Sequence, residues 1–143
     1  VAMRDGAKID RAVLIAPAAD AADASRRFAR AIALPEHRRA AMQRLLERRT
    51  GRGMDALAIH RVAPHLAQPA LIVHDLADRD VPWEEGERYA RFWPGARLLS
   101  VNGLGHHKIV NDPDVIAAGA AFLRGEVIGE RVVSTQELVY GCA

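Results

Sequence analysis

Residues 70–82 read ALIVHDLADRDVP: a short apolar run, Ala70-Leu71-Ile72-Val73, passes through His74 and Asp75 into a stretch of aspartates closed by Val81-Pro82. The run is continuous rather than alternating and is bounded by turn formers, the pattern of a strand covered on both faces. Two similar runs flank it, RAVLIA at 11–16 and ARLLSV at 96–101. Helical patterns lie between and after these strands, so the order predicts an α/β fold in three layers, a parallel sheet with flanking helices.

The helices are punctuated by their own chemistry. Residues 21–34 and 35–49 read as two helices meeting at Pro35, a residue suited to a first helical position, with Gly51 and Gly53 ending the second. A short helix is expected over 54–62. In EEGERYARFW, 84–93, the spacing of Tyr89, Phe92 and Trp93 turns them toward a sheet. A last helix opens at Asp112-Pro113, an N-cap followed by proline, with Val115, Ile116, Ala120, Phe122 and Leu123 expected inward. The tail at 126–143 has apolar residues without a period and could be an added strand, a partner-binding segment or a frayed end.

Composition bounds the function. The 143 residues are half apolar and 27% charged, a globular balance in a chain long enough to bury roughly two-thirds of its unfolded surface. No apolar run approaches the roughly 18 residues of a membrane span, and the N-terminus lacks a signal-peptide layout, so the expected location is cytoplasmic. Cys142 is the single cysteine, which rules out a disulfide within the chain and a zinc site built on cysteines. Residues 26–52 hold nine arginines against Glu36 and Glu47, a local balance of +7 within an overall +2. No aromatics interleave with them to stack bases, so a solvated helix surface is expected and no nucleic-acid partner.

Function should lie where parallel strands end. The second strand runs into HDLADRDVP, 74–82, and the third into NGLGHHKIV, 102–110. One crossover apart, these loops should emerge side by side, about 4.8 Å between strands, so that a carboxylate from one reaches an imidazole from the other. That is the orienting pair of a nucleophilic hydrolase. Asp75, Asp78 and Asp80 are competing acids, and His74, His106 and His107 competing bases. The same six residues are competent metal ligands, although their spacing matches no metal motif.

At these loops the sequence resembles the α/β-hydrolase superfamily, especially its bacterial esterase, lysophospholipase and serine aminopeptidase-like members. His74-Asp75-Leu76-Ala77-Asp78-Arg79-Asp80-Val81-Pro82 follows the family's H-G-x-x-D-x-x-V-P with aspartate for the glycine, and Gly103-Leu104-Gly105-His106 follows its small-x-G-H. The resemblance covers residues 8–124. It implies Asp78 as the acid, His106 as the base, no cofactor, no metal, and a small-molecule ester or acyl substrate. Asp75, in place of the glycine, would turn outward or cap the loop; His107 would face solvent or line the rim; His74 would brace the loop.

The family's nucleophile sits on a G-x-S-x-G elbow earlier in the chain, and no such motif occurs in these residues. Ser25 falls in a helix, Ser100 in a strand and Ser134 in the tail; Cys142 follows the histidine. VAMRDGAKID, opening on Val1, reads like the end of the elbow's helix, so the chain is expected to be the family's C-terminal portion, 1–125, without the N-terminal strands and elbow. Residues 21–62 would be its helical cap, with Phe28, Ile32, Leu34, Met42, Leu45 and Leu46 packing on the sheet or lining an acyl site. The strand at 11–16 would lose a neighbour and invite self-association. The alternative from another class is an inactive hydrolase-like module that binds a partner through the arginine-rich helices or the tail.

Overall fold

The computed structural model describes residue 3 and residues 5–132. Three strands form one parallel sheet in the order β1 (Ala12–Ile15), β2 (Ala70–Asp75), β3 (Ala96–Val101). Ala70 sits beside Ala12 on one side and Ala96 on the other, and the register carries Asp75 level with Val101. Every residue of β2 is buried, whereas those of β1 are all half-buried. The continuous apolar run is thus the central strand, covered on both faces and flanked on both edges. β1 is shorter than the 11–16 run because its ends have other work. The Arg11 guanidinium lies over the Phe122 ring at 5.4 Å, and Ala16 leaves the strand at φ 47°.

Alternation along the strands separates two cores. Ala70, Ile72, Ala96 and Leu98 face a layer made by α3 (Ile59–Val62) and α4 (Trp83–Phe92), with Trp93 buried and Tyr89 and Phe92 packed against it. Leu71 and Val73 face the opposite layer, with Val115 and Phe122 of α6 (Pro113–Leu123) and Ile109 of the 3₁₀ turn Ile109–Asn111. Asp112 caps α6 by accepting from the Asp114 and Val115 N–H groups.

Two expected inward residues of α6 face out. Ile116 and Leu123 are each 54% exposed. The stripe that meets the sheet is Val115, Gly119 and Phe122, spaced four and three residues apart, and residues one step beyond 115 and 122 rotate away from it. Gly119 lets the helix sit close: a methyl there would lie 3.6 Å from Val13.

Between β1 and β2 stand α1 (Ala21–Ala31), α2 (Glu36–Thr50) and the 3₁₀ turn Met54–Leu57, leading into α3. Asp20 caps α1 through the Ala22 and Asp23 N–H groups. Pro35 stands at the N-cap of α2, one place ahead of the expected first helical position. The insertion leaves and returns at one point, because the Ile59 N–H donates to the Ala19 carbonyl at 2.8 Å. Phe28, Ile32, Leu45 and Leu46 are exposed, not packed on the sheet.

The described part of the tail, 126–132, lies along β3. Leu98 and Glu130 exchange both backbone hydrogen bonds in an antiparallel bridge, and the Arg97 guanidinium donates to the Ile128 and Gly129 carbonyls. Ser134 and Cys142 lie outside the described residues. No helix among the described residues is long and apolar enough to cross a membrane.

The two faces of α6 give an expected contrast. Phe122→Ala should cost about 3–5 kcal/mol, as a buried aromatic, and Leu123→Ala within about 0.5 kcal/mol, as a surface change. Urea denaturation of the two variants checks the orientation, and equal losses would contradict it.

Candidate active site

β2 and β3 end side by side, and Asp75, the last residue of β2, joins the loops that follow them. Its side chain has no solvent access. One carboxylate oxygen accepts from the Ala77 N–H at 2.7 Å, within its own loop, and the other from the Leu104 N–H at 2.7 Å, within the histidine loop. Of the two expectations for Asp75, outward or capping, the capping one holds, and the residue caps both loops at once. The buried side chain is tolerated there because each oxygen accepts a backbone N–H.

Asp78 folds its own loop in the same way. Its Oδ1 accepts from the Asp80 and Val81 N–H groups, each at 2.9 Å, an aspartate turn. Its Oδ2 lies 2.8 Å from His106 Nδ1 and 3.5 Å from His74 Nε2. Burial by itself raises the Asp78 pKa, but the Val81 N–H, the His106 ring and the Asp80 N–H together outweigh it and hold the carboxyl below its ordinary range.

His106 sits in the short helix α5 (Gly105–Lys108), where the sequence predicts a loop. Gly103 and Gly105 bend the chain into it at φ 87° and 64°, where nothing lies within 4 Å of an added methyl. Glycine is needed there for conformation, not for space. With Nδ1–H donating to Asp78, the Nε2 lone pair of His106 remains to take a proton. The ring is 29% exposed and lines a surface cleft with Ala77, Arg79, Asp80 and Leu104.

The other histidines separate. His74 is fully buried, and its Nε2–H donates to the Val81 carbonyl at 2.9 Å, bracing the loop. Its Nδ1 has no partner among the described residues and faces Gly86, where a methyl would fall 2.4 Å from that nitrogen. His107 is 86% exposed and pairs at 3.4 Å with the exposed Asp80, a contact of small worth in water. The acid and base candidates therefore sort into His106 with Asp78 and His107 with Asp80. Among the described residues no three His, Cys, Asp or Glu side chains are grouped to hold a metal.

Sequence reading missed Glu85. This buried carboxylate on α4 accepts the Ala19 N–H at 2.7 Å and the Arg27 guanidinium at 3.1 Å, while Tyr89 one turn on donates to the Ala18 carbonyl. The signal was available: an acidic residue beside Gly86 on the face of α4 that packs inward.

No protein-family model matches the chain, and neither does any curated protein. Solved structures do. MGS-MChE2, an α/β-hydrolase from the metagenome of Mar Chica lagoon sediments, aligns with a TM-score of 0.57 at 16% identity, over 87% of this chain and 56% of that one. MGS-M2, an α/β-hydrolase from a Medee basin deep-sea metagenome library, aligns at 0.54 and 15%, over 84% and 57%. A Mycobacterium tuberculosis H37Rv protein named as a non-heme bromoperoxidase, BpoC, aligns at 0.54 and 21%, over 81% and 57%. At such identities the likeness is one of fold, and the chain spans a little over half the length of these structures. The three-layer parallel sheet is that of the α/β-hydrolase fold.

Because Asp78 has its pKa lowered by folding, the stability it contributes is present above its ordinary value of 3.8 and is lost as pH falls through the lower folded value. Denaturation midpoints measured from pH 5 down to about 2.5 should drop more steeply for the native sequence than for Asp78→Asn. Parallel curves would mean that the carboxylate adds no acid-labile stability.

Proposed function

We propose that this chain, whose sheet is that of the α/β-hydrolase fold, is the acid- and base-bearing portion of a serine hydrolase acting on carboxylic esters or related acyl substrates. The observation that carries the reading is the 2.8 Å contact between His106 Nδ1 and the buried Asp78 Oδ2, at the carboxyl ends of adjacent parallel strands. The serine is a residue outside these 143. Ser25 stands within α1, 3.4 Å from the Arg39 guanidinium, and Ser100 lies in β3 and accepts from the Trp83 indole N–H.

The proposed chemistry uses both ends of the imidazole. As the serine oxygen bonds to the acyl carbon, His106 Nε2 takes the hydroxyl proton, and Asp78 stabilises the resulting imidazolium through Nδ1. The same proton then passes to the departing alcohol oxygen as its bond to the acyl carbon breaks. Water attacks the acyl-enzyme with His106 again as base, releasing the acid and restoring the serine. Asp78 holds a single tautomer of His106 throughout, and its hydrogen bonds from Asp80 and Val81 fix the carboxylate before substrate arrives.

Residues 21–62 act in this reading as a cap. The exposure of Phe28, Ile32, Leu45 and Leu46 supports a role in facing an acyl group, since side chains that only packed on the sheet would be buried. The enzyme is placed in the cytoplasm, needs no cofactor, and completes its sheet along β1, whose outer edge pairs with no strand among the described residues.

Two outcomes test this. Expressed from its full open reading frame, the protein should hydrolyse short p-nitrophenyl esters and label with a serine-directed phosphonate. Turnover should fall roughly 10³-fold or more in His106→Ala and in Asp78→Asn, and undiminished turnover in either would remove that residue from the mechanism. The 143-residue chain by itself should sediment as dimers or larger species at tens of micromolar, because an open parallel edge recruits strands; a monodisperse monomer would count against the open edge.

A further inference from the structure

A second cleft of about 440 Å³ lies between α1 and the acid loop, lined by Arg27, Phe28 and Arg30 on one side and Arg79, Asp80 and Val81 on the other. Arg79 and Asp80 also line the cleft that holds His106, so the tip of the acid loop is a wall common to both. The two clefts are thus neighbours on either side of this tip.

The character of the second cleft is set by charge. Three guanidiniums meet one carboxylate in the wall, and Asp80 already faces His107. Arg27 is held in place rather than swinging freely. Its Nη1 donates to Glu85, which is itself fixed by the Ala19 N–H, while its buried Nη2 has no partner among the described residues. Glu85 also meets Arg88 at 3.7 Å, so one carboxylate serves two guanidiniums and leaves Arg27 with positive charge to spare. Arg30 and Arg79 have no ion-pair partner among the described residues and are exposed. The exposed Arg30 and Arg79, with Arg27 held behind them by Glu85, give the cleft a positive wall suited to an oxyanion, and Phe28 offers an apolar surface for a short chain leading to it.

We infer that the cleft between α1 and the acid loop is a subsite for an anionic end of the substrate, so that the enzyme prefers acyl groups bearing a distal carboxylate or phosphate over neutral ones of the same length. This rests on the hydrolase reading for the reacting end, but the cleft itself binds an anion whether or not catalysis follows.

The test uses the protein from its full open reading frame. p-Nitrophenyl hydrogen glutarate, its chain-matched phosphonate and neutral p-nitrophenyl valerate are compared at low and high salt. The anionic esters should be favoured in kcat/KM by roughly tenfold or more, the scale of one charge-assisted hydrogen bond, and the preference should shrink with salt. The ranking of carboxylate and phosphonate identifies which oxyanion the cleft suits. Arg30→Ala and Arg79→Ala, singly and together, should collapse the ratio toward one. A wild-type ratio near one, or variants that lower all substrates in proportion, would overturn the subsite while leaving the hydrolase reading intact. If no ester is turned over, the hydrolase reading fails, and binding then decides the subsite. Glutarate monoamide should shift the arginine Nε–H resonances of Arg30 and Arg79 in ¹⁵N spectra where valeramide does not; no shift overturns it.

Discussion

Two aspartates buried where one strand ends organise the loop edge of this molecule. Asp75 and Asp78 sit where β2 leaves the sheet, and their buried oxygens need N–H donors in place of water. The loops are folded around that need. Ala77 and Leu104 turn their N–H groups to Asp75, and Asp80 and Val81 turn theirs to Asp78. Only one oxygen, Asp78 Oδ2, is left for a side chain, and His106 takes it. The geometry of the pair is thus a by-product of satisfying buried polar oxygens.

A second buried carboxylate does for the insertion what Asp75 does for the loops. Glu85 reaches from α4 to the Ala19 N–H, and Ile59 donates to the Ala19 carbonyl, so the segment that leaves the sheet at Ala19 also comes home there. Through Arg27 the same carboxylate fixes the first turns of α1 above the acid loop. Phe28, Ile32, Leu45 and Leu46 of the insertion face outward while Ala22 and Ala29 are buried, so this anchor and the packing of α1 on its neighbours together set the helices' position.

Much of the site was legible in the sequence because it depends on local chemistry. The continuous apolar run marked β2 as the covered central strand, and the glycines before His106 marked a bend that only they can make. Aspartates after a strand announced N–H groups to be capped. The helix bounds failed where local signals compete. Pro35 fits an N-cap as readily as a first helical position, and Gly105 hid a four-residue helix by reading as the end of a loop. On α6 the period located the stripe, but one step of rotation left Ile116 and Leu123 outside, which only the position of the sheet could fix.

The sequence by itself determined the parallel three-strand order, the two loops at its edge and the residue types gathered there, since burial pattern, turn residues and chain order are properties of neighbours in the chain. Sequence implied the pairing of His106 with Asp78 only through the family resemblance of the two loops; its 2.8 Å geometry, and the pairing of His107 with Asp80, were decided by tertiary structure. So were the double role of Asp75 and the tether from Glu85 to Arg27, because each joins residues tens of positions apart. Their contact depends on strand register and helix packing, and a one-dimensional pattern carries neither.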